Sequence, residues 1–166
     1  MARRGALLLA AVVALGGCTA EAPAPATPAG CGLVSAREVS GLMGEDLRAR
    51  STGSRAALGA EGGHVRCVTR GDGAVRRVTV DVLRHPAPLS LDGRPCRTGW
   101  VYAGTPEAYS PACQDAVGDG GRTTLLARRG DYVVTVVVAR IDRAWAGDPE
   151  AALDLADSAG TRLELG

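Results

Sequence analysis

The stretch YVVTVVVA at positions 132–139 decides the fold class of this chain. Val and Thr branch at Cβ, and a run of such residues favours a strand because branched side chains lose rotamer freedom in a helix. Apolar residues on both alternating faces predict a strand that is buried on both sides. The turn residues RGD at 129–131 join this strand, predicted over 132–141, to another over 123–128.

An earlier hairpin is predicted from the same signals. Residues 64–70 and 74–84 flank the turn GDG at 71–73, and Val78, Val80 and Val82 alternate with polar residues. The chain therefore holds two RGD triplets, each at a strand end. Such a triplet can act as an adhesion signal, but its position here favours a tight turn.

A helix is predicted at each end of the folded part. Ser35 and Glu38 have capping-box spacing ahead of a helix over 36–43. Asp148 can cap a second helix with Pro149 in its first turn. Its apolar stripe consists of Ala152, Leu155, Ala156, Ala159 and Leu163. The pattern predicts an α+β fold: an antiparallel sheet built from two hairpins, with the N-terminal and C-terminal helices packed on one face.

The middle of the chain gives weaker signals. Three prolines within 85–99 predict a loop, and a helical turn is expected around 105–109. Residues 118–121, Gly-Asp-Gly-Gly, predict a turn; they lack the Lys-Ser/Thr and the helix that follow the glycines of a phosphate-binding loop.

The N-terminus has the pattern of a bacterial lipoprotein signal. Arg3 and Arg4 precede an apolar stretch over 6–15, which is too short to span a membrane, and LGGC follows at 15–18. We expect residues 1–17 to be a signal peptide and Cys18 to carry the lipid, including chains such as palmitate. The alternative is an ordinary secretory signal that is cleaved near Ala20.

Residues 18–30 form a spacer rich in Pro and Ala, a composition that favours extended polyproline II structure. The folded domain is predicted to begin at Cys31 and to comprise residues 31–166. The expected location is the outer face of the cytoplasmic membrane, where a lipid holds the exported protein.

Four of the five cysteines remain once Cys18 is acylated. An even number in an exported domain predicts two disulfides, and three pairings are available. Sequential pairing, Cys31 with Cys67 and Cys96 with Cys113, fits the predicted organisation best. A zinc site with four cysteines is disfavoured because no Cys-x-x-Cys spacing occurs.

Charge gives no reason to expect a nucleic-acid partner. All 19 basic residues are Arg, and removal of residues 1–17 leaves seventeen of them against 18 acidic residues. The Arg pairs at 76–77 and 128–129 are interpreted as solvated charges near hairpin ends.

No catalytic, cofactor or metal residues are predicted. His64 starts one strand of a hairpin and His85 ends the other, so the two could come near one another, but nothing in the spacing requires a metal site and exposed histidines at strand ends are favoured. No Gly-x-Ser-x-Gly elbow is present. Trp100, Tyr102 and Tyr109 lie within the segment between Cys96 and Cys113. They form the candidate recognition surface, because Trp and Tyr dominate binding hot spots, although the same residues could fill the core of a chain without Phe.

The segment CGLVSAREV at 31–39, followed by GLMG at 41–44, resembles the opening of a family of actinobacterial secreted lipoproteins of unknown function. AVGDG at 116–120 and the Ala-rich final helix are also similar to that family. The resemblance implies an α+β domain in the cell envelope and no established activity.

From these features we expect a lipid-anchored, non-enzymatic module that binds a small envelope ligand or an envelope protein. The alternatives are a hydrolase of envelope polymers and a structural lipoprotein without a pocket.

Overall fold

The computed structural model of the protein describes residues 32–50, 58–59, 62–91, 94, 96–105 and 109–164. Two helices and seven strands follow one another along the chain. Their bounds are α1 (Ala36–Met43), β1 (Arg48–Ala49), β2 (His64–Arg70), β3 (Val75–Arg84), β4 (Trp100–Ala103), β5 (Ser110–Val117), β6 (Gly120–Arg129), β7 (Tyr132–Arg140) and α2 (Asp148–Glu164).

All seven strands form one antiparallel sheet in the order β1-β2-β3-β7-β6-β5-β4. β7 carries the stretch at 132–139 and lies in the middle of the sheet, between β3 and β6. The predicted α+β class, with an N-terminal and a C-terminal helix packed on the sheet, is confirmed.

The core lies between the helices and the face of the sheet that they cover, here called the inner face. Val78, Val80 and Val82 of β3 stand directly opposite Val138, Val136 and Val134 of β7, and all six are buried. The predicted stripe of α2 is also buried, and α2 packs on β7 and β6. Each fully buried valine contributes about 1.5–3 kcal/mol relative to an exposed one, so this layer is a large stabilising contribution.

The first helix begins as its sequence predicts. The Ser35 side chain accepts a hydrogen bond from the Glu38 amide, and the Glu38 carboxylate accepts one from the Ser35 amide. The same carboxylate lies 2.9 Å from the Arg162 guanidinium of α2. Burial raises the pKa of Glu38, but hydrogen bonds from Ser158, Arg162 and Ser35 outweigh it, so its pKa lies below the ordinary value. Glu38 thus joins the two helices.

The segment between the hairpins differs from the prediction. The chain there forms strands β4 and β5, whereas we expected a loop with a helical turn around 105–109; residues 106–108 lie outside the described residues. β5 reads SPACQDAV, which has little β-branched character. It is a strand because β4 and β6 pair with its two edges, and such pairing is invisible in a local sequence pattern.

Trp145 covers the inner face where β6 begins. A Cβ added to Gly121 would overlap the Cε3 and Cζ3 atoms of the Trp145 ring. The Gln114 side-chain amide donates to the Trp145 carbonyl oxygen at 2.7 Å, which holds this residue above β5 and β6. Gly121 is therefore required by the close approach of the ring. Within the described residues, no helix has the length and apolar character that a membrane span requires.

We predict that Gly121→Ala destabilises the fold by about 1–3 kcal/mol, the usual cost of adding a methyl group to a filled site. Urea denaturation followed by circular dichroism measures the change as a lower midpoint. Gly41→Ala is the matched control, because nothing lies within 4 Å of a Cβ at this helical position. It should be neutral or stabilising. If both variants unfold at the wild-type midpoint, the packing of Trp145 on Gly121 is wrong.

Candidate functional site

The connection from β3 to β4 crosses the outer face of the sheet, opposite the helices. At its start, the His85 amide donates to the Asp131 carbonyl at 2.7 Å. Arg128, on the outer face of β6, donates from its guanidinium to the carbonyl oxygens of Pro86 and Ala87. The chain then continues to β4 at the far edge of the sheet. This crossing leaves Leu126, on the outer face of β6, fully buried.

A disulfide fixes the end of the crossing. Cys96 and Cys113 are bonded, with their Cα atoms 5.7 Å apart, as predicted. The Arg97 amide donates to the Asp115 carboxylate at 3.1 Å, and the Thr98 hydroxyl donates to the Gln114 carbonyl at 2.5 Å. The segment after Cys96 is therefore held against β5 by one covalent bond and two hydrogen bonds.

Cys67 is also disulfide-bonded. Its predicted partner, Cys31, lies outside the described residues, so this pairing stays a prediction. Cys18, the predicted lipid-bearing residue, and the spacer that follows it also lie outside the described residues.

Cys96, Cys113 and Asp115 place their sulfur and carboxylate atoms within 4.8 Å of one another, a spacing that suits a metal ion. Metal binding by cysteine requires thiolates, and here the two sulfurs are bonded to each other. The Asp115 carboxylate instead accepts from the Arg97 amide and faces the Arg122 guanidinium at 3.8 Å. With the disulfide formed, Cys96, Cys113 and Asp115 hold the segment after Cys96 against β5, and we call these three residues the clasp.

The three aromatic residues of the candidate recognition surface come together at the β4 edge. Trp100 is partly buried and stands opposite Cys113, beside the disulfide. Tyr102 and Tyr109 are 58% and 54% exposed, and their ring centroids lie 5.9 Å apart. These two tyrosines do not fill the core. They form an exposed pair at the edge of the sheet, with Tyr102 on β4 and Tyr109 immediately before β5.

The structure places the two histidines at the same end of the β2–β3 hairpin, because His64 pairs in register with Leu83 and His85 follows β3 directly. His64 Nε2 lies 3.3 Å from the Asp81 carboxylate. The Arg66 guanidinium contacts both oxygens of Asp81, at 2.7 and 3.3 Å. Among the described residues, the His64 ring makes a polar contact with one side chain only, that of Asp81. The pair therefore belongs to an exposed ion-pair group on the outer face.

A buried charged group on the inner face joins α2 to the sheet. Asp148 is 5% exposed, and its carboxylate accepts from Arg140 at 3.2 Å and from the Thr123 hydroxyl at 3.4 Å. Burial raises the pKa of Asp148, and the Arg140 charge and the Thr123 hydroxyl only partly oppose it. The predicted capping residue thus directs its carboxylate to the sheet, where it positions the start of the helix.

Comparison with protein-family models, with curated proteins and with solved structures gives no match to this chain.

We predict that replacing both cysteines of the clasp, Cys96→Ser with Cys113→Ser, lowers stability by about 3 kcal/mol. The chain-entropy model gives this value for a loop of roughly this length. Urea denaturation of the wild type, with and without reductant, provides the measurement, and reductant should have little further effect at this site in the double variant. An unchanged midpoint in the double variant would show that the crossing segment is held without the disulfide.

Proposed function

We propose that this protein is a lipid-anchored, non-enzymatic binding module of the cell envelope. The lipid on Cys18 holds it at the outer face of the cytoplasmic membrane, and the spacer over 18–30 separates the domain from the bilayer. The folded domain offers its β4 edge to a protein partner. A small envelope ligand at the same surface is the alternative occupant.

The exposed Tyr102–Tyr109 pair is the observation that carries this proposal. Tyrosine buries a large area at a low cost in side-chain entropy, so it is enriched at the energetic centres of interfaces. Val101, on the same short strand, is 45% exposed. The strand β4 ends the sheet in the described part of the chain, and an edge strand can accept an extended segment of another protein.

An envelope hydrolase would rest on the His64–Asp81 pair. A general base of this kind needs a nucleophile or a positioned water beside the ring. In this protein the same carboxylate also binds Arg66, which favours an ion-pair role for Asp81 over catalysis. We therefore prefer binding to turnover.

For the anchor, we predict that Cys18→Ser moves the protein from the membrane fraction to the soluble fraction of the cells that produce it. Without the cysteine sulfur no acyl chain can be attached, and at least two chains are needed for stable anchoring. Intact mass of the purified protein tests acylation directly. The Cys96→Ser/Cys113→Ser variant is the control and should stay with the membrane, whereas an unacylated wild type would contradict the anchor.

For the binding surface, we predict that a photocrosslinking residue placed at Tyr102 captures a defined envelope partner. The same residue at Arg37, exposed on α1, should not capture it. With the partner purified, Tyr102→Ala and Tyr109→Ala should each weaken binding by about tenfold, because a central Tyr typically contributes at least this much. Arg37→Ala should bind as the wild type does. Equal capture at both positions, or unchanged affinity of the Tyr variants, would contradict this use of the β4 edge.

A further inference from the structure

Three arginines stand in one row across the outer face of the sheet. Arg48 of β1 pairs in register with Arg70 of β2, and Arg70 pairs in register with Arg77 of β3. Residues paired across antiparallel strands share a face, and neighbouring strands lie about 4.8 Å apart. The row therefore spans about 10 Å from Arg48 to Arg77. The residue that continues the row on β7 is Ala139, whose small side chain leaves space beside Arg77.

The arginine row is not neutralised within the described part of the chain. All three side chains are exposed, and none has a carboxylate of the described residues within 4.0 Å. Like charges directly opposite each other destabilise a sheet, and Arg70 has such a neighbour on both sides. An anion bound across the row would remove this repulsion.

A shallow groove of about 380 Å³ adjoins the row. Its floor combines apolar and hydroxyl groups from three adjacent strands: Val68, Thr79 and Val137. Arg66, Arg70 and Arg77 line it, and Asp81 is its acidic residue. Asp81 is already bound by Arg66 and His64, so Arg70 and Arg77 keep their charges for a ligand.

A second depression of about 480 Å³ lies beside the groove and shares Arg70 with it. Arg48 and Arg70 line this depression together with the acidic residues Glu45, Asp46 and Asp72. Glu45 is occupied there, because both of its carboxylate oxygens accept from the Val75 amide, at 3.1 and 3.0 Å. The groove is thus cationic: Arg70 and Arg77 have no carboxylate partner among the described residues, and they lie beside the Arg66–Asp81 ion pair.

We propose that the arginine row and its groove form a binding site for a ligand with two phosphate-class anionic groups. The planar guanidinium donates paired hydrogen bonds that match a phosphate, and the register of β1, β2 and β3 holds the arginines at fixed intervals. One phosphate group fits between neighbouring arginines, and a second reaches the third arginine. The ligand is either soluble or a phospholipid headgroup of the anchoring membrane. This site is separate from the aromatic β4 edge, at the opposite end of the sheet.

The test uses the mature lipid-bearing protein in a neutral detergent, with inorganic pyrophosphate as the probe. We expect pyrophosphate to raise Tm above the value in sodium chloride of equal ionic strength, because it binds only the folded state. Isothermal titration gives the affinity. Arg70→Gln should weaken binding by at least about tenfold, the usual loss for a hydrogen bond to a charged group, and should not lower Tm without ligand. Arg77→Gln is the second variant, and we expect the same loss of affinity and the same unchanged Tm without ligand.

The control is Arg37→Gln, which removes the same charge from α1 on the other face of the sheet and should keep the full response. Vesicles of phosphatidylglycerol, compared with vesicles of phosphatidylcholine, separate the two sources of phosphate; this arm uses the unacylated Cys18→Ser protein, because the lipid would hold the wild type on either bilayer. Retention on phosphatidylglycerol that is lost in Arg70→Gln identifies a headgroup, and a response to pyrophosphate alone identifies a soluble ligand. No response to either probe, or an equal loss in Arg37→Gln, overturns the proposal. The Tyr102→Ala and Tyr109→Ala variants should bind pyrophosphate normally, so failure of one surface does not decide the other.

Discussion

The contact between the inner faces of β6 and β7 and the small-residue stripe of α2 is the constraint on which the rest of the structure depends. Ala152, Ala156 and Ala159 are fully buried and let the helix lie close to the sheet. This contact covers the inner face of the central strands. Residues that can meet a ligand or partner are therefore left on the outer face and at the sheet edges, where both proposed surfaces lie.

Local patterns in the sequence predict the parts of the fold that depend on local chemistry. The capping box at Ser35, the alternation in β3 and the β-branched run in β7 each specify an element through neighbouring residues. The strands β4 and β5 have no such signal, because β5 takes its conformation from two flanking strands. Burial of β7 on both faces is only partly correct: Thr135 and Val137, on the outer face, are partly exposed, whereas Val134, Val136 and Val138 of the inner face are buried.

The candidate site also has features that local sequence patterns reveal and features that depend on how the strands pair. Trp100, Tyr102 and Tyr109 are recognisable as a group in the sequence, but whether they fill a core or form a surface depends on the sheet edge that they occupy. The pairing of Arg70 with Arg77 follows from the hairpin once its turn is placed. The sequence around Arg48 does not predict that this residue joins the row, since β1 has two residues and pairs with β2 only at the end of β2. The row across three strands becomes visible only when the pairing of the strands is known.

The position of β7 has a consequence for the order in which the sheet can form. Within the described residues, β7 is the last strand in the sequence, yet it lies between β3 and β6 and is the only link between the two halves of the sheet. Before residues 132–140 have been synthesised, the earlier strands can form only two partial sheets with no shared edge. The pairing that joins the two halves therefore completes last, and such non-local pairing is slow to form.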